Sequence, residues 1–565
     1  MKHLLLLILT LITTHSYSSE INGNVYLDNT SDHSGIIIKF NPVSPSATYT
    51  EGISNSLGEY SFSIVNGVYN ISYEKTGYQT YILNNQLISV DETLTDISLN
   101  SNNIVNVSGN ISGSWTNDNT YFVIGDIIIP SGQTLNIEAG TEIKFDGYYS
   151  LIVNGTLSAV GTENNNIIFT SISSTPLNND WNQIKFNSTS TSSEINYCII
   201  EYGHQTDFAE TGFIEINGEV AIENSKIRNS NGPGIKVALN YSGDVMINGN
   251  EIRNCNYGIY NSGIGEALIT NNRIFDINTI GVYENIYDSQ TIISNNIIYN
   301  CNYSGISSHT DITIERNIVF NNGEGILVGG GAPNIINNTI FSNIDGIWIT
   351  DNDFFNPQPI VNSNIIIDNY EYGLKSAGEF QPSLIAYNLF NNNSFGNGNN
   401  FPTGVGTVLT TNSNGTNSDA YYNIFSSAQL MSINPEDSNF CELEDNSDAI
   451  NAGDPNITNN YDSTTIDIGA KESSQTLSLN EFQNLNFIVY PNPITNYIKI
   501  KSGRTQSFNK IVIYNINGQI TKEYELENLS NEYIIENLNE LTIGTYIINF
   551  YNESEKIHTM KVLKK

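Results

Sequence analysis

Ile314-Glu315-Arg316-Asn317-Ile318-Val319 with Gly325-Ile326, and Ile335-Ile336-Asn337-Asn338-Thr339-Ile340 with Gly346-Ile347, are one phrase written twice. The phrase is an Ile, two residues, an Asn, one residue and a second aliphatic. A Gly-aliphatic pair follows, its aliphatic member nine or ten residues after the Asn. Outward from this stretch the Asn seat recurs at Asn250, Asn272, Asn296, Asn364 and Asn388, with Ser225 and Cys198 holding it earlier, at steps of 21 to 27 residues. Three residues before each seat stands Ile195, Ile222, Ile247, Ile269, Ile293, Ile314, Ile335, Val361 or Ile385. The glycines are Gly234, Gly258, Gly281, Gly305, Gly325, Gly346 and Gly373, each followed by Ile, Val or Leu.

Self-similarity at this period is too short for a two-helix repeat and holds three short strands with three turns. Gly and Asn recur where a helix needs continuity, so a helical reading fails. The chain therefore winds as a coil whose equivalent residues stack about 4.8 Å apart. Aliphatic residues form inward ladders. The Asn is expected at a tight turn, where it tolerates left-handed backbone and its amide bonds to neighbouring coils. The Gly is expected where the chain bends into the next strand.

This repeat resembles the right-handed parallel β-helix of the pectate-lyase-like superfamily. Val107 to Thr170, with Ile127-Ile128-Ile129-Pro130-Ser131-Gly132 and Leu151-Ile152-Val153-Asn154-Gly155-Thr156-Leu157, is similar to the opening coils and cap of such helices. Ser447-Asp448-Ala449-Ile450-Asn451-Ala452-Gly453-Asp454 and Asp467-Ile468-Gly469-Ala470 resemble a closing motif of bacterial β-helix proteins. The resemblance implies a fold and not an activity, because such folds host many functions.

The expected fold class is all-β: a parallel β-helix over 102–472, about a dozen coils, flanked by two small β-sandwiches. Residues 19–101 alternate apolar and polar residues between Gly/Asn turns, as in Gly58-Glu59-Tyr60-Ser61-Phe62 and Asn66-Gly67-Val68-Tyr69-Asn70-Ile71. They resemble carboxypeptidase-regulatory-like modules. A polar linker, 473–484, leads to residues 485–565. There Val489-Tyr490-Pro491-Asn492-Pro493, Ile511-Val512-Ile513-Tyr514-Asn515-Ile516-Asn517-Gly518 and Gly544-Thr545-Tyr546-Ile547-Ile548 resemble the C-terminal sorting domain of the type IX secretion system. That resemblance implies the secretion machinery as a partner, a bacterium of the Bacteroidota, and delivery to the outer-membrane surface or the medium. Residues 1–18 read as a signal peptide: Lys2, an apolar run from Leu4 to Ile12, and the small-x-small site Ser16-Tyr17-Ser18. No stretch reaches membrane-spanning length, and a monomer is expected.

The chain has 565 residues, with 58 Asp+Glu against 22 Lys+Arg and a formal charge of −36. That field disfavours nucleic acid and anionic membrane as partners. Four cysteines, Cys198, Cys255, Cys301 and Cys441, form neither a disulfide framework nor a zinc or redox motif. Cys255 and Cys301 share a register but stand two coils apart, too far for a bond. Arg228 and Arg253 share one seat, and Lys226, Glu251 and Arg273 share another, which predicts a cross-coil ion-pair ladder of small energetic weight.

The strand after each Gly-aliphatic pair is the candidate groove floor. Its outward stripe reads Lys236, Tyr260, Tyr283, Ser307, Leu327, Trp348 and Lys375, with Asn285, His309 and Thr350 two residues further on. Aromatic faces stack on sugar rings, and lysines pair with uronate or sulfate. The competing account is an aromatic ladder that only stabilises the sheet. The candidate carbohydrate-binding residues are Lys236, Tyr260, Tyr283, His309, Trp348 and Lys375, and polysaccharide is the expected partner. No catalytic residue is assigned: glycoside hydrolysis uses a close carboxylate pair, whereas the stripe shows only Glu284 and Asp351, three coils apart, and Glu284 is expected to point inward or along the turn. Lys236, His309 and Lys375 would be the bases if the groove were catalytic. No metal motif or cofactor is evident. The acidic loops Asp351-Asn352-Asp353 and Asp454 to Asp467 could hold calcium, though neither has EF-hand spacing. The favoured reading is polysaccharide binding. The rivals are a polysaccharide lyase or glycosidase in the same groove, and an adhesin or spacer without sugar affinity.

Overall fold

The computed structural model describes residues 18–564, apart from 44–47, 102, 205–210, 240, 286–290, 351–356, 379, 458–463, 474–486 and short stretches beyond 490. The signal peptide, apart from Ser18, and the linker, apart from Ser473, lie outside the described residues, as does Asp351-Asn352-Asp353. The chain divides into two compact units, 1–473 and 474–565. In the second unit, two antiparallel sheets enclose a core that includes Ile498, Ile500, Phe508, Ile511, Ile513, Ile548 and Phe550.

The first unit opens with two antiparallel-rich sheets, strands Ser18–Leu27 to Ile97–Leu99, around Ile21, Val25, Ile38, Phe40, Tyr69 and Ile71. From Asn103 the chain winds into a right-handed β-solenoid. Each coil gives a strand to each of three faces, and each strand pairs in parallel with its counterpart one coil on. The first face is a twelve-stranded sheet from Gly113–Trp115 to Leu384–Ala386. The second carries the strands after the Asn seat, such as Ile318–Phe320 and Thr339–Phe341. The third carries those after the Gly, such as Ile259–Asn261 and Val282–Glu284. Ile195, Ile222, Ile247, Ile269, Ile293, Ile314 and Ile335 stack inside with no exposed surface. Each contributes roughly 1.5–3 kcal/mol of transfer free energy, offset largely by the entropy of ordering the coil.

The turn chemistry differs from the expectation. The left-handed residue is the one before the ladder Asn: Asn224, Asn271, Asn295, Arg316, Asn337, Ser363 and Tyr387 all have φ between 47° and 58°. Turning the chain there frees the ladder Asn to point inward and to bond along the axis. The backbone N–H of each ladder Asn donates to the Oδ1 of the next, from Asn250 to Asn272, Asn296, Asn317, Asn338, Asn364 and Asn388, at 2.8–3.0 Å. Ser225 and Cys198 hold the early seats as predicted: the Cys198 N–H donates to Ser225 Oγ at 3.0 Å. The ladder runs one seat beyond the repeat, through Asn423, and ends on the buried carboxylate of Asp419. A second ladder, Asn322, Asn343, Asn369 and Asn393, begins where Cys301 ends the thiol-and-Ile run of Cys255, Ile277 and Cys301.

The repeat glycines serve close approach, since their φ values are not left-handed. A Cβ on Gly258 would stand 2.4 Å from the Gly281 carbonyl oxygen and 2.6 Å from Ile274 Cγ2. The four cysteines are free and buried, and burial pushes the thiols of Cys198, Cys255 and Cys441 up to about 12.

The predicted ladder through Lys226, Glu251 and Arg273 is not how these charges pair. Glu251 bonds Arg253 on its own strand at 3.2 Å, while the cross-coil ion pair here joins Arg228 to Glu201, its register partner one coil back, at 2.7 Å. Arg273 reaches Glu436 and lies over Tyr299. Glu436 belongs to a strap, described over residues 424–457 and 464–472, that folds back over the second face. Beneath it Phe275, Tyr299, Phe320 and Phe341 stack at 4.7–5.0 Å, with Phe440 edge-on to Phe320. Arg316–Glu472 at 3.1 Å and the Gly469 N–H to the Ser363 carbonyl at 2.9 Å hold the strap's far end. The closing motif thus seals one flank of the helix.

Candidate functional site

The third face carries the candidate groove. Its pairing puts Lys236, Tyr260, Tyr283, Ser307, Leu327, Trp348 and Lys375 in one continuous cross-coil row. The row arises because the aliphatic anchors Ile235, Ile259, Val282, Ile306 and Ile326 point inward, so the next residue must point out.

Four of the six candidates gather in one patch. Tyr260 and Tyr283 meet edge to face at 4.9 Å, Tyr283 and His309 at 5.8 Å, and Lys236 Nζ lies 5.4 Å from the Tyr260 ring centre. Tyr257 adds a third phenol, 5.4 Å from Tyr260 and 6.0 Å from Tyr283. Asn285 bridges the hydroxyls: its Nδ2 donates to Tyr260 Oη at 2.6 Å, and Tyr283 Oη donates to its Oδ1 at 3.1 Å. The three tyrosines and His309 are half-buried, leaving ring surface open to solvent. His309 packs on Gly329, where a Cβ would lie 2.2 Å from its ring. Burial holds the His309 imidazole below its usual range and raises the Tyr260 phenol.

Trp348 and Lys375 form a separate pair three coils beyond Tyr283, with the ammonium 5.3 Å from the indole. Buried Ser307 and Leu327 separate the two clusters. Lys375 is already engaged, by Asp345 at 2.6 Å and Glu371 at 3.0 Å. Burial works to lower its pKa, but these bonds hold it above its ordinary value. It is therefore poorly suited to the roles of uronate partner or base. Glu284 points inward, fully buried, and accepts from Asn261 Nδ2 at 3.0 Å.

The row also extends upstream: Lys185 and Glu215 precede Lys236 in register, and Glu215 Oε1 bonds Lys185 Nζ at 3.2 Å. The early coils lack the Gly signature, Phe213 standing where later coils have Gly, so periodicity alone did not reach them. Tyr257 was legible as an aromatic beside the Gly seat. Glu324 and Asp345, paired coil to coil on the same face, were not, because they precede the Gly rather than follow it. Burial raises the Glu324 carboxyl. Among the described residues, no three His, Cys, Asp or Glu side chains gather as a metal site.

Fold and tail together define the class: an exported right-handed parallel β-helix protein. Residues 182–340 and 263–425 match the right-handed β-helix region family, and 109–245 match the pectate-lyase-like β-helix domain. Residues 488–565 match the secretion system C-terminal sorting domain, which makes this a secreted or cell-surface protein. Among solved structures the chain is similar to pectate lyase Pel9A, at 13% identity over 61% of this chain and 89% of that one, with a TM-score of 0.38. A mutant form of the periplasmic alginate epimerase AlgG matches at 14% identity over 50% of this chain and 74% of that one, TM-score 0.31. A cohesin–X-dockerin complex from Acetivibrio cellulolyticus matches at 15% identity over 15% of this chain and 59% of that chain, TM-score 0.13. No helix among the described residues is long and apolar enough to cross a membrane.

Proposed function

We propose that the protein binds polysaccharide at the cell surface, in the groove along the third face, and does so without cleaving it. The observation that carries this reading is the half-exposed patch of Tyr257, Tyr260 and Tyr283, fixed by Asn285 and flanked by His309. Rings locked in place before a ligand arrives lose little entropy on stacking a sugar. A purely structural ladder would stack face to face and lie under cover, as Phe275, Tyr299, Phe320 and Phe341 do beneath the strap. In the groove Tyr260 instead meets both Tyr257 and Tyr283 edge to face, Tyr257 and Tyr283 stack loosely at 6.0 Å, and all three keep ring surface open to solvent. We take the module of residues 19–101 as a spacer and the sorting domain as the export address. The test is retention on a panel of insoluble neutral and uronate-containing polysaccharides. Wild-type retention that falls at least tenfold in Tyr260→Ala and Tyr283→Ala supports the reading, and unchanged retention in both variants overturns it.

One observation favours an enzyme instead: Glu324 and Asp345 stand on adjacent coils beside Trp348. Adjacent coils stack about 4.8 Å apart, a spacing close to the roughly 5–5.5 Å between the carboxyl groups of retaining glycosidases. Against it, Asp345 is committed to Lys375 and to the Tyr372 N–H. Release of reducing ends that disappears in Glu324→Gln would replace the binding reading with this one.

A further inference from the structure

Among the described residues, three polar atoms on the groove row are buried and without a hydrogen-bond partner: Glu215 Oε2, Ser307 Oγ and Trp348 Nε1. Unsatisfied buried polar atoms are few in native proteins, and each calls for a cause. Here three share one line of outward positions on one face. At about 4.8 Å per coil, Ser307 lies roughly 19 Å from Glu215 and Trp348 roughly 10 Å beyond Ser307. A linear chain lying along the helix axis would pass over all three, and would reach them as the side chains that cover them move aside.

Resting on the glycan-binding reading, we infer that the groove selects a neutral, hydroxyl-rich polysaccharide and rejects polyuronates. Glu215 is the deciding residue. It is 7% exposed, one carboxylate oxygen holds Lys185, and the other has nothing to accept from. An ionised carboxylate can only accept, so its ligand must bring donors, as a sugar hydroxyl does. A uronate carboxylate brings none and would face Glu215 with like charge. The lysines that could have welcomed it are committed: Lys185 to Glu215, Lys375 to Asp345 and Glu371, and Lys236 lies over Tyr260. Ser307 and Trp348 then supply an acceptor-donor hydroxyl and an N–H donor further along, which suits alternating sugar hydroxyls. The chain's net charge of −36 adds long-range repulsion of polyanions.

The experiment is affinity electrophoresis of the full chain through gels containing galactan, mannan or soluble glucan, against gels containing polygalacturonate or alginate. Wild type, Glu215→Gln, Ser307→Ala and Tyr260→Ala are run together, with circular dichroism as a check on folding. The expected result is retardation by a neutral polymer and not by the polyuronates. Glu215→Gln should weaken it roughly ten- to a hundredfold, the range for losing a charged hydrogen bond, and Ser307→Ala severalfold. Retardation that depends on Tyr260 but is indifferent to both Glu215→Gln and Ser307→Ala overturns the inference and leaves the groove reading standing. So does retardation by a polyuronate equal to or stronger than by the neutral polymers. Retardation by no polymer overturns both.

Discussion

Replacing Asn317 by Ala removes one rung of the main asparagine ladder. Its amide makes four hydrogen bonds: Nδ2 donates to the Ile293 carbonyl at 2.8 Å and to Asn338 Oδ1 at 3.0 Å, while Oδ1 accepts from the Asn296 N–H at 3.0 Å and from Asn296 Nδ2 at 2.9 Å. At a net of about 1 kcal/mol each, the loss is about 4 kcal/mol, and the buried Asn296 N–H is left orphaned. Ser225 shows what a smaller side chain can do, since its Oγ accepts the Cys198 N–H in the first rungs. Asn317→Ser should therefore keep the acceptor half of the rung and lose only about 2 kcal/mol. Urea unfolding followed by both circular dichroism and tryptophan fluorescence gives the two shifts, and coincidence of the probes licenses the comparison. An Asn317→Ala loss below about 1 kcal/mol, or a Ser variant no better than Ala, would refute the claim that the ladder holds the coils.

Other parts of the molecule are open to equally direct tests. Burial lowers the His204 pKa to about 4, so the folded state resists a proton that the unfolded chain accepts below its ordinary value of 6.5. The stability this gives is complete above 6.5 and is lost as pH falls toward 4, by about 3 kcal/mol, and melting curves of His204→Gln should show a shallower acid decline. Phe320→Ala, in the stack beneath the strap, should cost about 3–5 kcal/mol and open residues 424–457 to limited proteolysis, whereas a strap that stays protected would argue against Phe320 as its anchor. Gly258→Ala should cost about 1–3 kcal/mol through overpacking against the Gly281 carbonyl, and a neutral thermal shift would show that the coils can give way there.

Much of the fold was legible because a solenoid writes its geometry as a period. The aliphatic seats, the Asn seat and the Gly seat each map onto one place in the coil, and the outward row followed from strand alternation alone. What the repeat did not reveal are features that depend on the third dimension. The left-handed seat is occupied by Asn, Ser, Arg and Tyr alike, so composition hides it, as Arg316 and Tyr387 illustrate. The second ladder begins only after Cys301, too late to stand out as a period. Arg273 found its partner 163 residues away in the strap, a pairing that no local register predicts. At the groove, the sequence supplied Lys236, Tyr260, Tyr283 and His309 as neighbours. It could not show that Lys375 is consumed by carboxylates, nor that Glu215 keeps one buried oxygen unmet.

The account turns on where sugar sits. A crystal structure with a bound neutral oligosaccharide tests that most directly. The account predicts density along the third face, with a ring against Tyr260 and Tyr283 and a hydroxyl within hydrogen-bond distance of Glu215 Oε2. Density elsewhere on the molecule, with the tyrosine patch empty at saturating ligand, would contradict it.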